Sequence, residues 1–152
     1  MTVVCTRVIE WDMGHRVYKH ESKCSHPHGH RYRAEVTASA PGLDAQGRVI
    51  DFSVLKEKIG GWVDAHWDHG FMLYDADPAF GIMLRFPDVQ GDLRVFSVPF
   101  NPTAENIAAF LGEDICPLLM MGTGIRITHI RLYETPNGYV DWTPTACEQP
   151  AG

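Results

Sequence analysis

The chain has 152 residues, 45% of them hydrophobic and 21% charged, a composition and length that suit a single folded domain whose core needs no disulfide. Its 13 lysines and arginines stand against 19 carboxylates, a net charge of −6, and with no basic run this excludes a general nucleic-acid or anionic-membrane binder. No apolar stretch approaches the ~20 residues of a membrane span, and cysteines 5, 24, 116 and 147 form no CxxC pair and follow no secretory signal, so a reducing cytoplasm is the expected location.

The run from Val3 to Met13 is rich in β-branched and aromatic residues and predicts a first strand that ends in a bend at Gly14-His15. A polar loop follows, in which Arg16, Lys19, His20 and Lys23 gather as a solvated cationic cluster. From Tyr32, the alternation of Ala34, Val36 and Ala38 with polar neighbours predicts a half-buried second strand. After turns around Pro41-Gly42 and Gly47, residues 49–52 read as a short extended piece. Ser53 is the expected N-cap of a helix in which Leu55, Ile59, Trp62, Val63 and Trp67 recur at helical spacing. That helix delivers Asp68 and His69 at its end.

Residues 74–99 read as irregular, broken by Pro78, Pro87 and Pro99, with strand character only at 93–98. Asn101-Pro102-Thr103 predicts a second helix start. Its apolar face runs through Ile107, Phe110, Leu111, Ile115 and Leu118, with Pro117 expected to kink or end it. Residues 125–135 then form a strand, and Pro136-Asn137-Gly138 turns it into YVDW as a terminal hairpin. The order strand, strand, helix, helix, strand, strand predicts an α+β fold: an antiparallel four-stranded sheet with both helices on one face.

The sharpest local feature is CSHPHGHRY at 24–32. His28 and His30, two apart at the start of a strand, project from one face. His15, at the end of the first strand, is the natural third ligand of a zinc ion if the strands pair. Three histidines leave a fourth position open for water or substrate, as a catalytic zinc requires, whereas Cys24 as a fourth ligand would make a closed structural site. Asp68-His69 is either a proton-transfer pair or a helix cap. Glu105 suits the first turn of the second helix on dipole grounds, and Glu134, ending a strand, suits either a solvated edge or a pocket that recognises an amidine-like ring edge.

Taken together and in order, GH at 14–15, KCSHPHGHRY at 23–32, IDF at 50–52, DH at 68–69, NPTAEN at 101–106 and YET at 133–135 resemble the 6-pyruvoyl-tetrahydropterin synthase family, and within it the bacterial 6-carboxy-5,6,7,8-tetrahydropterin synthase branch. The resemblance spans nearly the whole chain, 1–152. It implies the tunnelling fold with two helices between strands two and three, a cytoplasmic homohexamer with active sites at subunit interfaces, and Zn2+ on His15, His28 and His30. It further implies Cys24 as general base, Asp68 and His69 as a proton relay, Glu134 as anchor of the pterin ring, and Thr103 and Glu105 beside the pterin site. The implied substrate is a pterin triphosphate, 7,8-dihydroneopterin triphosphate, which a carbon–carbon lyase would convert to 6-carboxytetrahydropterin for queuosine-type 7-deazaguanine synthesis. A pyruvoyl-forming synthase and a non-catalytic zinc module are the alternatives. WDMGH and WDHGFMLY depart from the family's usual aromatic-x-Ala-His and LDHxxLN, which places the differences in the pocket wall.

Overall fold

The computed structural model describes residues 2–85 and 93–145. Six strands form one sheet: β1 (Val4–His15), β2 (His28–Ser39), β3 (Gly70–Tyr74), β4 (Val95–Val98), β5 (Arg126–Thr135) and β6 (Gly138–Trp142), in the order β4-β3-β1-β2-β5-β6. The α+β class and the antiparallel core β1-β2-β5-β6 agree with the sequence reading. The four-stranded, purely antiparallel sheet does not: β3 and β4 add to the β1 edge, each running parallel to its neighbour, and the sheet is mixed. A crossover helix separates β1–β2 from β3, which is what a parallel pairing requires.

Odd residues of β1 (Ile9, Trp11, Met13, His15) and even residues of β2 (Tyr32, Ala34, Val36, Ala38) are buried, together with Ile130 and Leu132 of β5. That period of two assigns one sheet face to the core. Two long helices cover this face. In α1 the segments Phe52–Leu55, Lys56–Gly60 and Gly61–His66 run on from one another, the middle one with π-type hydrogen bonding. In α3 the segments Ala104–Phe110, Leu111–Ile115 (again π-type) and Cys116–Leu119 do the same. A short α2 (Ala79–Met83) lies between β3 and β4. Leu55, Ile59 and Val63 of α1 and Ile107 and Leu111 of α3 are fully buried in one cluster with the strand residues, each contributing about 1.5–3 kcal/mol of hydrophobic burial.

Several boundaries move. The α1 N-cap is Asp51, whose carboxylate accepts the Ser53 N–H, not Ser53. Pro117 does not end α3, which runs on to Leu119: the π-type turn before it leaves proline in the first turn of the last segment, where its missing N–H costs little. Gly14 does not bend the chain. It stays within β1, and its lack of a side chain lets the Phe71 ring lie across the strand, since a Cβ there would sit 2.5 Å from that ring. β2 begins at His28, as the placing of His28 and His30 at a strand start expects, four residues before the alternation becomes visible at Tyr32. Pro87 and Cys147 lie outside the described residues. Among the described residues, Cys5, Cys24 and Cys116 are free thiols, and no helix is long and apolar enough to cross a membrane.

Candidate active site

The register of β1 and β2 brings three histidines together. His15 pairs with His28, and Met13 with His30, so the three imidazoles share the core face at the open end of the two strands. Their ring centroids lie 4.6–5.1 Å apart, and one nitrogen from each falls within 4.8 Å of the other two. The other nitrogens fix the tautomers. His15 Nδ1 is 2.7 Å from the Pro102 carbonyl and His28 Nδ1 is 2.7 Å from the His26 carbonyl; a carbonyl only accepts, so both Nδ1 atoms carry the proton. When both rings are neutral, their bare Nε2 lone pairs face each other at 3.2 Å, a repulsive contact unless a cation stands between them.

A tetrahedral zinc with bonds of 2.0–2.1 Å places neighbouring nitrogens about 3.3 Å apart. His30 Nε2 is buried without a hydrogen-bond partner. It lies 3.2 Å from Glu134 Oε1, but the alignment is too poor for a hydrogen bond, so the contact is one of proximity only. The donor set therefore fits a divalent metal that prefers nitrogen. Burial favours the ligating neutral form of His15: desolvation lowers its pKa to about 4, against the raising effect of the Pro102 carbonyl and with help from His28 and His30. Desolvation and His28 lower that of His30 in the same way.

Cys24, on a 3-10 turn (Lys23–Ser25) in the β1–β2 loop, lines a cavity of about 340 Å3 with Thr103, Glu105 and Glu134. Four of the expected site residues thus meet there. Cys24 does not join the histidine cluster. Glu134 has the parity of Ile130 and Leu132 and so faces the core side, beside His30. Desolvation, with Glu105 nearby, raises its carboxyl pKa, partly offset by His28. Thr103 caps α3, its hydroxyl accepting the Asn106 N–H, and Glu105 occupies the first turn as the dipole argument expects.

Asp68 and His69 are not brought to that cavity within one chain. They belong with Asp12 and Arg31, which alternate with the core-facing residues and so lie on the opposite sheet face. Asp68 Oδ1 accepts the Asp12 N–H at 3.0 Å, Asp68 Oδ2 receives His69 Nδ1 at 2.7 Å, and Arg31 reaches Asp12 at 3.0 Å. Burial raises the Asp68 carboxyl, but the Asp12 N–H and the His69 ring outweigh it and hold the pKa below the ordinary carboxylate value. His69 adopts a left-handed backbone (φ 56°), which presents its ring to solvent, 76% exposed. An open concavity of about 680 Å3 adjoins it, bordered also by Asp12, Arg31 and Phe71.

Sequence reasoning missed the groups that hold the ligands, the Pro102 and His26 carbonyls, because main-chain acceptors leave no mark in residue type. It also placed Arg16 in a solvated cluster. Arg16 instead forms a two-point ion pair with the buried Asp77, at 2.6 and 2.9 Å.

The family model for 6-pyruvoyl tetrahydropterin synthase matches residues 4–145. The chain belongs to this family. Among curated relatives, the 6-carboxy-5,6,7,8-tetrahydropterin synthase of Rickettsia bellii is 41% identical over 91% of this chain and 99% of its own. The protein of that name from Haemophilus influenzae is 31% identical over 90% and 96%. Among solved structures, an uncharacterized protein of Wolinella succinogenes superposes with a TM-score of 0.80 at 22% identity, covering 94% of this chain and 98% of that one. The 6-pyruvoyl tetrahydropterin synthase of Caenorhabditis elegans superposes at 0.66 and 20% identity, covering 95% and 97%. These neighbours establish the fold, and the family is one of enzymes that act on pterins.

Proposed function

We propose that the protein is a zinc-dependent 6-carboxy-5,6,7,8-tetrahydropterin synthase, converting 7,8-dihydroneopterin triphosphate and one water to 6-carboxytetrahydropterin, acetaldehyde and triphosphate in a 7-deazaguanine (queuosine-type) route. The observation that carries the reading is a three-histidine cluster whose His30 lies 3.2 Å from Glu134, a residue that with Cys24 and Glu105 lines the neighbouring cavity. The carboxy product, rather than the pyruvoyl one, is favoured by the names of the curated relatives.

His15, His28 and His30 would hold the zinc, which when bound supplies a Lewis acid for the side-chain oxygens of the substrate. Cys24 takes the carbon-bound proton as general base. Glu134 accepts hydrogen bonds from the amidine-like edge of the pterin, a role that needs its carboxylate form, and Glu105 and Thr103 close the adjoining wall. Asp68 orients His69 for proton transfer from the face of the sheet opposite Cys24, so the relay is completed by a second copy of the chain in a homo-oligomer, a hexamer by family resemblance. The non-catalytic zinc module is disfavoured because Cys24 stands outside the ligand cluster.

Metal analysis together with product analysis tests this. Zinc-loaded protein is expected to release acetaldehyde from 7,8-dihydroneopterin triphosphate, and release of triphosphate alone with a pyruvoyl product would move the assignment to the sister activity.

A further inference from the structure

Cys24 lies on a loop, residues 16–27, that has no regular structure beyond one 3-10 turn, yet a base must be held to a fraction of an ångström. Three contacts fasten this loop. Val17 N–H donates to the Cys24 carbonyl at 2.8 Å, closing the loop back onto the end of β1, two residues beyond His15. The Arg16–Asp77 pair fixes the loop's first residue to the turn before α2, where Asp77 also accepts the Ala79 N–H. The third contact is the most specific. Asn101 Oδ1 accepts the Tyr18 N–H and Asn101 Nδ2 donates to the Tyr18 carbonyl, each at 2.7 Å.

A carboxamide is suited to this because it carries one acceptor and one donor group on a planar head, and so satisfies both main-chain groups of one residue as a neighbouring strand would. Asn101 is itself held: its carbonyl accepts from the Thr103 N–H at 2.8 Å and from Asn106 Nδ2 at 2.9 Å. The next residue, Pro102, supplies the carbonyl that fixes the His15 ring, and Thr103 lines the Cys24 cavity. One rigid tripeptide at the start of α3 therefore touches the buried imidazole, the thiol's loop and the cavity wall.

We propose that Asn101 is a positioning residue that sets the Cys24 loop against the histidine cluster, with Asp77 as a second brace through Arg16. The positioning of Cys24 for catalysis rests on the function proposed above; the mechanical brace does not. A residue that merely stabilised the fold would loosen strands, metal and loop together, whereas a brace loosens the loop alone.

The experiment uses full-length, zinc-loaded Asn101→Ala and Asn101→Asp, the latter keeping the acceptor for Tyr18 N–H and losing the donor. It reads amide hydrogen exchange, the iodoacetamide alkylation rate of Cys24 by peptide mapping, bound zinc, and kcat and KM. For Asn101→Ala, exchange across residues 17–24 is expected to accelerate by about tenfold or more while β1 and β2 stay protected. Alkylation of Cys24 should change with it, zinc should remain bound, and kcat should fall by about 100-fold with KM little altered, the loss expected of a displaced catalytic group. Asn101→Asp should lie between. Unchanged loop exchange and alkylation would overturn the brace, and so would loss of zinc and strand protection in both variants. A loosened loop with unchanged kcat would overturn the positioning role. Exchange and alkylation decide the brace even if the wild type proves inactive on the pterin, which would refute the proposed function instead.

Discussion

His15 combines near-complete burial, 1% exposed, with an Nδ1 proton fixed on the Pro102 carbonyl, and its behaviour in metal-free protein follows from that. Its pKa falls to about 4 in the native state from an ordinary value of about 6.5. As pH falls below 6.5 the unfolded chain takes up this proton first, so the native state loses stability down to pH 4, below which both states are protonated. The gap amounts to about 3 kcal/mol. Denaturation of metal-free protein at pH 7.5, 5.5 and 4.5 should show the loss, and His15→Asn should flatten the slope. His28→Ala should abolish stoichiometric zinc, because a site of three histidines cannot spare one; full zinc in that variant would refute the ligand set. Cys24→Ala should keep zinc and lose about 100- to 10,000-fold in kcat, the range for removing a general base, while loss of metal with activity would make Cys24 a ligand.

At the level of elements, Gly14 and Gly112 each sit directly against an aromatic ring. An ideal Cβ on Gly112, in the π-type segment of α3, would lie 2.5–2.6 Å from the Trp142 ring, which also donates its indole N–H to Glu113 at 3.0 Å. Gly112→Ala should cost about 1–3 kcal/mol by overpacking, read as a lowered denaturation midpoint with altered tryptophan fluorescence. The long, strongly patterned elements were legible in sequence: the alternation of Ala34, Val36 and Ala38 and the spacing of Leu55, Ile59 and Val63 each match the face that is buried. β3 was not. GFMLY follows α1 after a three-residue turn, too short and too continuously apolar to show a period, and its parallel pairing with β1 depends on contacts far apart in sequence. With β3 unseen, β4 had no partner and the sheet came out four-stranded.

Across the whole molecule, the convergence of His15, His28 and His30 was legible from their spacing on paired strands, whereas the meeting of Cys24 and Glu134 at one cavity was expected only from the family resemblance. That Asp68-His69 lies across the sheet from them was not legible, since it follows from β1 alternation combined with the β1–β3 pairing. Under the proposed function, this division makes assembly part of the reaction. Among the described residues β4 and β6 are the sheet edges, which need covering, and light scattering should find an oligomer at working concentration, with an active monomer refuting the shared site. Mixing inactive Cys24→Ala subunits with inactive His69→Ala subunits should restore part of the activity if the two groups act across an interface.

The most direct test incubates zinc-loaded protein and Cys24→Ala with 7,8-dihydroneopterin triphosphate and follows acetaldehyde and 6-carboxytetrahydropterin. Wild type is expected to form both in equal amounts and Cys24→Ala, with its zinc retained, almost none; wild-type protein with stoichiometric zinc that leaves the substrate unchanged would contradict the account.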